Sequence, residues 1–121
     1  LTTFNRRKNY MDRLYKQEIL ELTSLLRNDE EWEDLRNVLT KTGFNIKEIV
    51  LASFVEDDEE NEYGVIITSD LKIMEYSRST QNGKNNVNYF ELNDITNKEH
   101  KIKEYPQISV AVNMIKKGIE L

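Results

Sequence analysis

"TKTGFNIKEIVLASFV", residues 40–55, holds the change of texture on which the fold turns. Up to Thr42 the apolar residues recur at a spacing of about 3.6, the period of an α-helix. From Ile49 to Val55 they form a run of β type. Gly43 stands between the two, at the place where helices end on a left-handed residue.

Upstream, no Gly or Pro interrupts residues 3–42. Met11, Leu14, Tyr15, Leu22, Leu25 and Leu26 fall on one helical face, and Ile19 and Leu20 widen it. Tyr10 and Tyr15 are expected in the core with them. "LRNDEEWEDL", residues 26–35, predicts a break. Asn28 followed by Glu31 reads as a capping box, with Asp29, Glu30 and Glu31 in a first turn that favours negative charge. Trp32, Leu35, Val38 and Leu39 then make the apolar face of a second helix, with Trp32 buried.

Downstream, "YGVIITSDLKIMEYS", Tyr63 to Ser77, predicts two strands joined by a turn at Ser69-Asp70. Val65 and Ile67 would face one side and Ile66 the other. On the next strand Leu71, Ile73 and Glu75 would oppose Lys72, Met74 and Tyr76. "STQNGKNN", Ser79 to Asn86, reads as a loop turning at Asn82-Gly83. "VNYFEL", Val87 to Leu92, reads as a fourth strand, and His100 to Tyr105 as a short fifth. Pro106 opens a last helix that Gly118 closes. Its face would be Ile108, Ala111, Val112 and Ile115, although Ile108, Val110 and Val112 also fit strand alternation.

The expected fold is therefore α+β: two N-terminal helices, a mainly antiparallel sheet of four to five strands, and a C-terminal helix. The 121 residues suit one domain. Its helical part would cover 5–43, its sheet 46–105 and its last helix 106–118. Consecutive hairpins favour a meander, with helices on one face of the sheet.

Composition narrows the function. Hydrophobic residues make up 38% and charged residues 32%, with a net charge of −5 and a pI near 5.0. That balance argues against a nucleic-acid binder with a wholly basic surface. Arg6, Arg7 and Lys8 keep a local nucleic-acid contact open. With no cysteine, disulfides and thiolate zinc sites are excluded. No apolar run approaches the ~18 residues that span a bilayer. A cytoplasmic location is expected. The Lys-, Asn- and Ile-rich composition suggests a bacterial, AT-rich source.

The acid run from Glu56 to Glu62 is the loudest local signal. It fails as a calcium loop of the EF-hand type, because Glu62 stands at the glycine position when the count starts at Asp57. Adjacent carboxylates on an extended chain point to opposite sides, so they do not converge on one ion. The run sits between two strands, where a solvated hairpin loop is expected. Asp70, Lys72 and Glu75 faintly match the acid, acid and lysine set of metal-dependent nucleases, but with Asp70 in a turn. His100, among Lys98, Glu99 and Lys101, reads as an exposed residue. Tyr89 and Phe90 must point to opposite faces of their strand, which leaves one for solvent or a partner.

"YGVIITSDLKIMEYS…NYFELNDIT", Tyr63 to Thr96, is similar to the central hairpins of bacterial pleckstrin-like domains. The shared pattern is a Gly, an apolar strand, Thr, a turn, a second strand, and a strand ending in Asp-Ile, here Asp94-Ile95. The resemblance covers about a quarter of the chain. The stretch from Thr96 to Pro106 is too short for the further strands that such domains place before their capping helix.

The favoured functional reading is a small acidic, non-enzymatic protein-binding domain. An inhibitor or immunity-type protein that neutralises a basic partner would fit. Glu56, Asp57, Asp58, Glu59, Glu60 and Tyr89 would be its contacts, with no metal and no cofactor. Because the chain opens on Leu1 rather than Met, a second reading takes it as a regulatory or accessory domain of a longer protein. A third is a metal-dependent nuclease-like enzyme using Asp70, Lys72 and Glu75.

Overall fold

A computed structural model describes residues 3–79 and 89–118, with the side chains of 3–9, Lys101, Lys103 and Glu104 left out. Helices α1 (Thr3–Asn28) and α2 (Glu33–Thr42) precede strands β1 (Ile49–Glu56), β2 (Asn61–Thr68), β3 (Ile73–Ser79) and β4 (Tyr89–Asp94). Helices α3 (Glu99–Glu104) and α4 (Gln107–Lys116) follow. The sheet is antiparallel with order β1-β2-β3-β4, the expected meander.

Gly43 works as the sequence implied. Its φ is 109°, its N–H bonds the Thr40 carbonyl at 3.0 Å, and the Phe44 N–H bonds that of Leu39 at 3.1 Å. That pair of bonds is the Schellman arrangement. The break before α2 falls one residue later than expected. The cap is Asp29, whose carboxylate accepts from the Glu31 N–H at 2.8 Å and starts a 3-10 turn over Glu30–Trp32.

Three expectations are corrected. His100 to Tyr105 is not a strand, since α3 covers most of it. The Ile102 N–H bonds the Lys98 carbonyl at 3.1 Å, closing a helical turn where a short polar stretch offers the sheet little to bury. Leu71 lies in the β2–β3 turn with φ 67°, and the following strand starts at Ile73. The Thr68 hydroxyl fixes that turn by accepting from the Lys72 N–H at 3.0 Å. Helices, finally, cover both faces of the sheet. On one, Val50, Val65, Ile67, Ile73 and Ile95 pack against Ile19 of α1 and Ile108, Ala111 and Met114 of α4. On the other, Ile49, Leu51, Ile66 and Tyr76 pack against Leu26 of α1, Trp32, and Leu35 and Leu39 of α2. We refer to these as the α4 face and the α2 face.

Helix α1 reaches both clusters because it runs along the β1 edge of the sheet. There it bonds backbone groups at the start of that edge. The Leu51 N–H donates to Thr23 Oγ1 at 3.0 Å. Arg27 donates to the carbonyls of Lys47 at 2.9 Å and Ile49 at 3.2 Å. A β-bulge between Leu51 and Ser53 follows. The buried face of α1 is thus Ile19, Thr23 and Leu26, rotated from the apolar stripe. Tyr10, Met11, Leu14 and Leu25 are exposed, against expectation, because they lie on the side of the stripe away from the sheet edge. In α4 the third buried position is Met114, and Val112 is half-buried.

The loop turn at Asn82-Gly83 and strand residues Val87 and Asn88 lie outside the described residues, as do the side chains of Arg6, Arg7 and Lys8. Among the described residues, no helix is long and apolar enough to cross a membrane.

Candidate functional site

The acid run divides into three parts with different work. Asp57 organises the β1–β2 hairpin. Its Oδ1 accepts from the N–H groups of Glu59 (2.9 Å) and Asn61 (3.0 Å), and its Oδ2 from Asn61 Nδ2 (3.1 Å). The Asn61 backbone bond is the main reason its carboxyl titrates below the ordinary aspartate value. Glu60 takes the left-handed conformation that closes the loop, with φ 63°. Glu56, Asp58, Glu59 and Glu60 are exposed. A polar Asx-type hairpin loop is what this geometry builds.

Glu62, the last acid of the run, is buried. Strand alternation sends Glu62, Gly64 and Ile66 to the α2 face. There Glu62 meets Arg78, its partner on β3. The carboxylate accepts from Arg78 Nε and, at 2.7 Å, from Nη2. The pair is bidentate, and only 2% of the Arg78 side chain and 8% of that of Glu62 is exposed. Beside it the Tyr76 hydroxyl is buried without a partner, as is Arg78 Nη1. Burial and the Glu62 charge hold Tyr76 far above the ordinary phenol range.

On the α4 face the helices cover only half of the sheet. Among the described residues, none covers the half next to the hairpin tip. Register places Val55, Tyr63, Ser77 and Glu91 in one row across the four strands. Asn61, Ser79 and Tyr89 form the next row outward. Val55, Tyr63 and Tyr89 are 55%, 43% and 54% exposed, unusually high for strand hydrophobics. Beside Val55 a groove of about 340 Å³ runs between α1 and the α3–α4 junction, with Tyr15, Tyr105 and Pro106 among its walls. The Tyr89 hydroxyl donates to Glu91, which also accepts from Asn93 Nδ2 at 2.9 Å. These bonds raise the Tyr89 pKa and lower that of Glu91.

The structure therefore gathers most of the sequence candidates at one end of the sheet. Asp57, Asp58, Glu59 and Glu60 form the tip, and Tyr89 lies on the face beside it. Glu56 is the outlier, since it pairs with Glu62 across the α2 face. Asp70 and Glu75 are held apart by different partners. Asp70 accepts from the Thr68 hydroxyl within the β2–β3 turn, and Glu75 accepts from the Tyr105 hydroxyl at 2.7 Å on the α4 face. His100 is exposed on α3. Among the described residues, no three His, Asp or Glu side chains are grouped to hold a metal ion.

Sequence reasoning missed Val55 and Tyr63 as surface residues and Glu62–Arg78 as a buried pair. Alternation held the signal for the second: Met74, Tyr76 and Arg78 share one side of β3, opposite Ile66, Gly64 and Glu62. No protein family model, curated protein or solved structure matches this chain.

Proposed function

We propose that this chain is a non-enzymatic protein-binding domain that engages a basic partner through the open half of its α4 face. The single observation that carries the reading is the exposure of Val55, Tyr63 and Tyr89 beside an ordered, acidic hairpin tip. Apolar side chains at the centre with charges at the rim are the usual composition of a transient interface. The strands hold the apolar groups rigidly, and Asp57 fixes the tip from within, so little conformational entropy is lost on binding. Asp58, Glu59 and Glu60 would steer a cationic surface into place. An inhibitor or immunity-type protein would use such a surface to neutralise a basic enzyme.

The test is affinity capture from the native host with the unmodified chain and two variants, followed by association kinetics on the partner recovered. Exchanging Asp58, Glu59 and Glu60 for Asn or Gln is expected to slow association, and the slowing should shrink at high salt. Exchanging Val55 and Tyr63 for Ser is expected to speed dissociation. An acidic partner, or one indifferent to both variants, overturns the reading.

A further inference from the structure

The two edges of the sheet are treated differently. The first half of the β1 edge is covered, with Thr23 bonding the Leu51 N–H and Arg27 the Ile49 carbonyl. Among the described residues, the β4 edge carries no such cover. Apart from β3, no described element makes an extensive contact with Tyr89–Asp94, and the bonds of these residues run to β3 or among neighbouring side chains.

The direction of the bare groups follows from alternation. The Ile95 N–H bonds the Ile73 carbonyl at 2.9 Å, so Ile95 faces β3. Residues two apart along an antiparallel strand bond to the same side, which turns Tyr89, Glu91 and Asn93 inward too. The N–H and C=O groups of Phe90 and Leu92 therefore point out of the sheet. Their side chains are half-buried on the α2 face, where Phe90 stacks on Tyr76 with centroids 6.1 Å apart.

We propose that β4 is a docking edge that takes an extended segment of a partner protein as a fifth strand, one alternating basic and apolar residues. The unpaired donors and acceptors demand a strand backbone. The side chains set its pattern. A residue beside Glu91 on the α4 face meets an exposed carboxylate, and its neighbours on the α2 face meet Phe90 and Leu92. Cations therefore belong beside Glu91 and aliphatics beside Phe90 and Leu92, on the face that ends at the exposed Asp94. A second copy is the competing occupant. Pairing β4 with itself so that Phe90 meets Leu92 sets Glu91 against Glu91, which is destabilising, whereas pairing centred on Phe90 sets Glu91 against Tyr89, so the test has to separate the two.

This inference is independent of the hairpin tip, and the test keeps the two apart. The isotope-labelled protein is titrated with a blocked hexapeptide of alternating lysine and valine, while hydrogen exchange is followed residue by residue. Controls are the glutamate–valine analogue and the lysine–valine peptide N-methylated at every residue. The expected result is fast exchange of the Phe90 and Leu92 amides in the free protein, and slowing of at least about tenfold at saturating lysine–valine peptide. Neither control should produce it. Equal protection by either control, protection of these amides in the free monomer, or no protection at saturation overturns the proposal. Spectral changes at Phe90 and Leu92 that follow protein concentration alone also overturn it, in favour of a second copy. Changes confined to Asp58–Glu60 overturn it and leave the acidic tip as the docking element.

Discussion

The ring of Tyr76 fills the space that a side chain at residue 64 would occupy, so Gly64 and Tyr76, opposite each other on β2 and β3, pack as one unit. A β-carbon at 64 would overlap the ring edge. Exchanging Gly64 for Ala is expected to cost about 1–3 kcal/mol through overpacking. Urea unfolding measures it, and an unchanged midpoint would mean that the ring can move aside. Tyr76→Phe should be neutral or stabilising, because the hydroxyl is buried without a partner.

The bidentate pair of Glu62 and Arg78 predicts strong non-additivity. Removing either partner alone, as Glu62→Leu or Arg78→Met, should cost about 3–5 kcal/mol by leaving the other charge buried. The double variant Glu62→Leu with Arg78→Met should cost far less than the sum. Chemical denaturation of all four proteins gives the cycle, and simple additivity would place the pair in contact with water.

Thr23 gives a cleaner test of edge closure. Thr23→Val keeps the shape and strands the Leu51 N–H, at an expected cost of about 1–3 kcal/mol. Thr23→Ser keeps the hydroxyl and should recover most of the loss. Equal losses in the two variants would show that packing, not the bond, holds α1 to β1.

The turn carboxylates predict the response to acid. Asp57, Asp94 and Asp70 accept hydrogen bonds that hold their carboxyls below the ordinary aspartate value of 3.8. A depressed folded-state pKa stabilises the protein above the unfolded value, and that stability is lost as pH falls through the folded value. Carbon-detected NMR titration should place Asp57 below 3.8, whereas Asp57→Asn should make the hairpin less sensitive to pH in that range. A normal titration of Asp57 would remove it from the turn.

Much of the architecture was legible because it rests on local signals. The switch of period at Gly43 and the alternation of Val65, Ile66 and Ile67 each depend on near neighbours. The position of α1 depends on something periodicity does not carry. Met11, Leu14 and Leu25 belong to an apolar stripe, but the stripe does not say where a sheet edge will lie. Thr23, at the centre of the buried face, is invisible to a hydrophobic pattern because its value is a single hydroxyl. The acid run misled for a related reason. Read as one charged block it is a wet loop, whereas its members are a turn organiser at Asp57, solvated charges at Asp58 and Glu59, and half of a buried pair at Glu62. Strand parity required one of Tyr89 and Phe90 to face outward without saying which, and the structure exposes Tyr89.

The closure of the β1 edge by α1 also orders events in time. The three hairpin contacts of the sheet join residues close in sequence, while Thr23 meets Leu51 across 28 positions. Local pairings form early, and contacts that close long loops form late. A nascent sheet would then expose bare backbone at both margins until α1 arrives, which is the state most open to polymerisation. Docking of the helix is in this sense the chain's own protection against aggregation. If it follows the main barrier, Thr23→Val should speed unfolding and leave the folding rate nearly untouched, which stopped-flow chevron plots would read directly.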